Sequence, residues 1–197
     1  VLNRDPLLDR DAYTLVGRVD YEAESVTLSS ITSLRNVDAF DSRDLDGSSL
    51  DAVSQEGNEE SKQITQEFRL ASNPSGPMSF GGDVDWILGA FYYQDDSDRE
   101  DKFILGVDSA VGASVDSVLA EFDTESYAFF GQFTLHLTEK LDITLGGRYT
   151  KDEKSTDHRG VTLDSLPLIR SNYETSNSAD YSSFDPRLVV SYQIEED

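Results

Sequence analysis

Asp41-Ser42-Arg43-Asp44-Leu45-Asp46-Gly47 is the stretch of this 197-residue chain whose residue types and spacing come nearest to a metal-binding pattern. With Gly47 at the sixth position of an EF-hand loop, Asp44 and Asp46 fall at the third and fifth. Ser42 then stands first and Val53 twelfth, where a bidentate Glu is required, and no helix flanks the segment. An EF-hand is therefore excluded. A looser calcium site among Asp41, Asp44 and Asp46 stays open beside a solvated acidic loop. His136 and His158 are the two histidines. Neither belongs to an HExxH spacing, and zinc needs about four ligands, so both read as isolated polar histidines. No cysteine is present, which removes thiol catalysis, disulfides and Cys-based zinc sites. There is no GxSxG, and nothing singles out two carboxylates as a glycosidase pair. Gly81-Gly82 and Gly146-Gly147 are turn or strand glycines, not a phosphate loop. No enzyme and no cofactor is expected.

Charge narrows the classes further. Lys and Arg number 16 against 39 Asp and Glu, a net charge of −23. Clustered cations drive binding to phosphate backbones, so nucleic acid is excluded as a partner. With 37% hydrophobic and 10% aromatic residues the chain is not a disordered one. Its longest apolar run is residues 86–93, far short of the roughly 18 residues of a membrane helix. Residues 1–5 lack the basic-then-apolar order of a signal peptide. A membrane barrel stays allowed, because its strands need only about ten alternating residues. The acids concentrate in residues 37–60, 94–125 and 151–183, which are rich in Ser, Gly and Asn and show no helical period. These three segments read as long loops.

Between them the sequence alternates with the period of a strand. Tyr13, Leu15, Gly17, Val19 and Tyr21 oppose Thr14, Arg18 and Asp20. Ile64, Phe68 and Leu70 oppose Gln63, Thr65, Glu67 and Arg69. Tyr127 to Leu137 oppose Ser126 to His136 in the same way, and so do the residues of 141–150 and 184–194. In residues 84–93 one face is apolar and the other mixed, with Asp85 and Gly89 beside Ile87, Phe91 and Tyr93. Residues 26–35 read as a strand whose parity slips between Leu28 and Ile31. Seven strands of about ten to twelve residues result, joined by turns that alternate short and long. That alternation is the pattern of an outer-membrane barrel. Arg18, Arg69, Arg148 and Arg187 sit mid-strand on the polar face, as a wet lumen or the solvent face of a sandwich would both allow. Tyr13, Tyr21, Trp86, Tyr92, Tyr127, Tyr149 and Tyr192 crowd the apolar face near strand ends. They fit a lipid–water boundary, with core aromatics of a soluble β-sandwich as the alternative.

Four strings carry a resemblance: QEFRLAS (66–72), VDWILGAFYY (84–93), ESYAFFGQFTLHLTEKLDITLGGRYTKDEKS (125–155) and FDPRLVVSYQIEED (184–197). Together they resemble the barrel of a TonB-dependent outer-membrane receptor across most of residues 12–197. The resemblance implies an all-β antiparallel meander of about seven strands, an incomplete piece of a 22-stranded transmembrane barrel. It implies an internal piece of the parent, with the N-terminal plug domain absent and residues 195–197 at a periplasmic turn. It places the parent in the bacterial outer membrane, in contact with lipid. The partners it implies are the plug, the TonB energising complex acting through the plug, and a scarce small-molecule nutrient such as an iron–siderophore. Arg18, Glu67, Arg69, Gln132, Arg148 and Arg187 become candidates for plug or ligand contact from the lumen. Two alternatives stand beside it: a porin-like barrel piece outside the family, and a soluble extracellular β-sandwich that binds carbohydrate or calcium.

Overall fold

The computed structural model describes residues 2–74, 76–80, 82–162 and 172–194. They form seven strands: β1 (Leu7–Glu22), β2 (Val26–Asp44), β3 (Val53–Ser72), β4 (Val84–Leu105), β5 (Ser114–Thr138), β6 (Leu141–Thr162) and β7 (Tyr173–Tyr192). Each pairs antiparallel with its sequence neighbours, giving one sheet in chain order. Strands β1 and β7 pair on one side only. A 3-10 turn at Pro77–Ser79 interrupts the connection from β3 to β4.

The strands are 16 to 25 residues long, about twice what the alternation predicts. The three acidic segments are therefore not loops over most of their length. Residues 37–44, 53–60, 94–105, 114–125, 151–162 and 173–183 continue the ladders without a break, and the described long connections shrink to 45–52 and 106–113. Residues 163–171 and 195–197, which the sequence reading assigned to the third loop and the last turn, lie outside the described residues. The reason for the difference is physical. In these distal halves polar side chains occupy both faces, so the period of two is invisible in hydropathy. Backbone pairing begun in the apolar halves simply propagates, because each added pair costs little once its neighbour is fixed.

Strand β2 is also more regular than it reads. Its register to β3 runs unbroken, and Leu28 and Leu34 share one face while Ile31 lies on the other. The apparent slip is an apolar residue on the polar face. The one irregularity between neighbouring strands lies at His136/Thr138, beside the short turn to β6.

Large side chains on the apolar face stand open: Tyr13, Phe129 and Leu188 are 69%, 66% and 68% exposed. Among the described residues the buried apolar set is Val37, Leu105, Ala120 and Ala128. A sandwich would bury one face of each sheet against the other. Among the described residues no second layer covers this sheet, so these strands do not form a sandwich with one another.

Glycines and rings pair across strands. A Cβ added at Gly89 would fall inside the ring of Phe130, its neighbour on β5, and one at Gly147 would meet Phe184 Cζ at 3.0 Å. The ring lies over the missing side chain, a device that pins register. Gly17, by contrast, has nothing within 4 Å of its virtual Cβ. Gly89→Ala is expected to cost about 1–3 kcal/mol by overpacking, and Gly17→Ala to stay within about 0.5 kcal/mol. Urea midpoints of the lipid-reconstituted protein check both; equal shifts would rule the ring contact out as the cause.

Candidate functional site

The polar face of the sheet holds a half-open hollow of about 630 Å³ at mid-height. Glu67, Arg69, Gln132, Arg148 and Arg187, five of the six lumen candidates, line it. Strand register puts them there: Glu67 pairs with Phe91, Gln132 with Gly146, and Gly146 with Arg187. Arg18 is elsewhere, on β1, where its Nε donates to Asp20 Oδ2 at 2.8 Å. Arg69 and Glu67 form an ion pair. The floor of the hollow is apolar: Ile87, Phe91 and Phe130. Arg148 holds its guanidinium 5.5 Å from the centroid of Phe91 and 5.8 Å from that of Phe130, a double cation–π contact. Its Nε donates to Thr150 Oγ1 at 3.1 Å. The two phenylalanines were not singled out from sequence. The mixed face of residues 84–93 and the doublet Phe129-Phe130 were the available signals.

Nearer the long connections, one arginine gathers three strands. Arg99 Nη1 donates to Glu59 at 3.0 Å, Nη2 to Asp41 at 3.2 Å, and Nε and Nη2 to Asp101 at 2.9 Å each. Arg43 donates to Asp41 at 2.7 Å, and Gln55 to Asp101 at 3.0 Å. Gly57 makes room for this network: a Cβ there would lie 2.6 Å from Asp41 Oδ1 and 2.8 Å from Arg99 Nη2. The hydrogen bond from Arg43, then that from Arg99, holds the Asp41 carboxyl below its usual range, and the carboxylates raise the Arg99 pKa. Nothing in the sequence marked Arg99; Asp101 is two residues away, but Asp41 and Glu59 become its neighbours only across strands.

The calcium candidates separate. Asp41 faces the two arginines. Asp44 Oδ1 accepts the N–H groups of Asp46 and Gly47, both at 3.0 Å. Asp46 accepts from Ser48 N–H and Oγ–H and from Val53 N–H. Both carboxylates close a turn whose Gly47 has φ +67°, the left-handed region that suits glycine. Among the described residues no three acidic or histidine side chains converge on a metal-sized site. These hydrogen bonds, first that from Ser48, lower the Asp46 pKa. A depressed carboxyl contributes stability above its unfolded pKa and loses it as pH falls through the folded value. The amides of Ser48 and Val53 are therefore expected to lose hydrogen-exchange protection once pH drops below about 4. Protection unchanged down to pH 2 would show that the carboxylate does not hold the turn.

His136 is not isolated. Its Nδ1 lies 2.8 Å from Asp142 and its Nε2 3.0 Å from Asp85, a bridge across β4, β5 and β6 at the short-turn end. His158 contacts Thr156 at 2.9 Å and stands edge-on to Phe122, far from any second histidine.

The seven aromatics fall into two rows on the apolar face. Tyr13, Tyr92, Tyr127 and Tyr149 mark the upper row; Tyr21, Trp86 and Tyr192 mark the lower, beside the short turns. The rows span nine residues inclusively in β1, from Tyr13 to Tyr21, and seven in β4, from Trp86 to Tyr92. At Tyr92, Tyr127 and Trp86 the polar tip points away from the band between the rows. Tyr92 donates to Gln94 at 2.9 Å and Tyr127 to Glu125 at 2.8 Å, while Trp86 Nε1 donates to the Met78 carbonyl at 3.1 Å. Directly above the upper row the same face turns polar at Asp11, Asn36, Lys62, Gln94, Glu125, Lys151 and Ser182.

An open meander with one apolar and one polar face, strands this long and unpaired edges is a stretch of β-barrel wall. The family model described as TonB dependent receptor-like, beta-barrel matches residues 2–197, and the chain belongs to that family. Members are outer-membrane transporters, not enzymes. Among solved structures, the ferric yersiniabactin uptake receptor FyuA of Yersinia pestis matches with a TM-score of 0.79 at 17% identity, over 98% of this chain and 27% of that one. The open form of the ferric-catecholate import receptor Fiu of E. coli K12 matches at 0.66 and 14%, over 96% and 34%. The siderophore receptor PiuA of Acinetobacter baumannii matches at 0.60 and 12%, over 91% and 30%. At these identities the likeness is one of fold. The chain spans about a third or less of each of those chains. No curated protein matches it.

Proposed function

We propose that this chain is part of the lipid-embedded wall of an outer-membrane receptor that takes up a scarce small-molecule nutrient, of the iron–siderophore class, with energy delivered by the TonB complex through a plug. The observation that carries the reading is the fit of the apolar face to a bilayer. Its height between aromatic rows, nine residues in β1 and seven in β4, is close to the roughly nine to eleven of a tilted membrane strand. The tips of Tyr92 and Tyr127 leave that band at the upper border and that of Trp86 at the lower, as amphipathic rings do at a lipid surface. In this reading the wall is passive. Its apolar face meets acyl chains, its polar face lines the lumen around the plug, and its long distal halves project outside as an acidic rim. The nutrient class rests on the siderophore receptors among the structural neighbours.

Spin labels placed one at a time along β5 in the membrane-embedded receptor test this. Labels at Phe129, Phe133 and Leu135 are expected to collide with oxygen dissolved in lipid, and those at Asp123 and Gln132 with a water-soluble nickel chelate. Water access at Phe133 equal to that at Gln132 would refute the wall.

A further inference from the structure

We propose that the hollow over Phe91 and Phe130 is the seat of a plug segment that presents a carboxylate to Arg148 and an apolar side chain to the two rings. This rests on the wall reading above and assigns the plug a specific point of contact.

Two observations carry it. The first is apolar surface in the wrong place. Ile87, Phe91 and Phe130 are half-buried on a mostly polar face, and the hollow above them stays half-open, with the Arg148 guanidinium over the two rings. Left facing a wet lumen, such a patch is unfavourable, and exposed apolar patches mark docking sites. A nutrient in transit would cover the rings only for moments. A resident polypeptide covers them permanently.

The second is an arginine prepared but not neutralised. Arg148 is flanked on both sides by described strands, so its neighbourhood on the sheet is complete. Two rings and the Thr150 hydroxyl fix its guanidinium, yet it makes no ion pair among the described residues. Asp185, its partner in register, instead accepts from Ser183 Oγ at 3.1 Å. Arg187 also makes no ion pair among the described residues, and Arg69 already has Glu67. In a chain of net charge −23 this hollow carries more cations than anions. A guanidinium held flat with free N–H groups matches a carboxylate fork. Such a pair, shielded by rings, is a strong anchor for an acidic segment.

The test uses the intact plugged receptor in its native membrane, with Phe91→p-benzoylphenylalanine as the probe. The replacement keeps a ring at the site. Irradiation is expected to join position 91 to a plug peptide carrying Asp or Glu close to an apolar residue. Arg148→Gln should lower the yield at least fivefold, and Arg148→Lys should restore at least half of it. An adduct to lipid, to barrel strands alone, or to a small molecule that disappears when nutrient is withheld would overturn the proposal. So would a yield indifferent to Arg148→Gln. The same probe at Phe133, on the opposite face, reports on the wall reading separately. A lipid adduct at 133 with no plug adduct at 91 sinks only the docking; a missing lipid adduct at 133 sinks the wall.

Discussion

Leu145→Arg is expected to weaken folding into a bilayer by about 2–4 kcal/mol, the cost of a cation at the midplane of a membrane barrel. Leu145 stands on the apolar face of β6, with Phe133 beside it on β5 and Leu188 beside it on β7. It is 49% exposed, so no protein neighbour can shelter the charge. One residue back, Thr144 faces the other side and shares a 3.0 Å hydrogen bond with Thr134. Thr144→Arg gives up that pair, about 1 kcal/mol, but leaves its charge in water. The two substitutions are adjacent in sequence and chemically identical in what they add. Equilibrium unfolding of the receptor in lipid vesicles measures both. Equal losses would mean that the faces are not lipid and water, and that the apolar face is covered by protein.

Arg99→Ala is expected to cost roughly 1–3 kcal/mol of local stability in the distal halves of β2, β3 and β4. The figure sits below that of a fully buried network because Glu59 is partly open to solvent. Removing the guanidinium leaves Asp41, Glu59 and Asp101 facing each other without their shared cation. Native-state hydrogen exchange should speed up about tenfold or more at residues 55–61 and 97–103, with the apolar halves unchanged. Arg99→Lys should recover only part, since an ammonium cannot fork to three carboxylates. Gly57→Val should act in the same direction by pushing the network off the sheet. The pH dependence has a definite sign. Asp41 has a depressed pKa, so its share is present above about pH 4 and fades as pH falls further. Arg99 stays charged throughout. Uniform exchange along all of β4 in the Arg99→Ala protein would show that the network does not hold the distal half.

The period of two in residues 13–21, 64–70, 127–137, 141–150 and 184–194 determined by itself the all-β class and the face on which each candidate lies, while the meander was implied by the family resemblance. One face meets an apolar medium there, and that requirement is written in residue type. The resemblance of residues 125–155 to a receptor barrel was legible too, and the family assignment agrees with it. Strand length was not. Above Tyr127 both faces of β5 mix polar and apolar side chains, so residues 114–125 carry no alternation, and only the cross-strand hydrogen-bond ladder decides that they are strand. Arg18 and Arg69 look alike in sequence, yet only Arg69 reaches the hollow, because Arg18, though level with Glu67 through Ile31, lies on β1, two strands away from β3. Phe91, Phe130 and Arg148 are 18 to 57 residues apart. Register alone brings the two rings under the guanidinium. The same holds for Arg99 with Asp41 and Glu59, and for His136 between Asp85 and Asp142. A residue's face is a local property of the pleat, whereas its neighbours on that face are set by pairing across strands, which no single strand encodes.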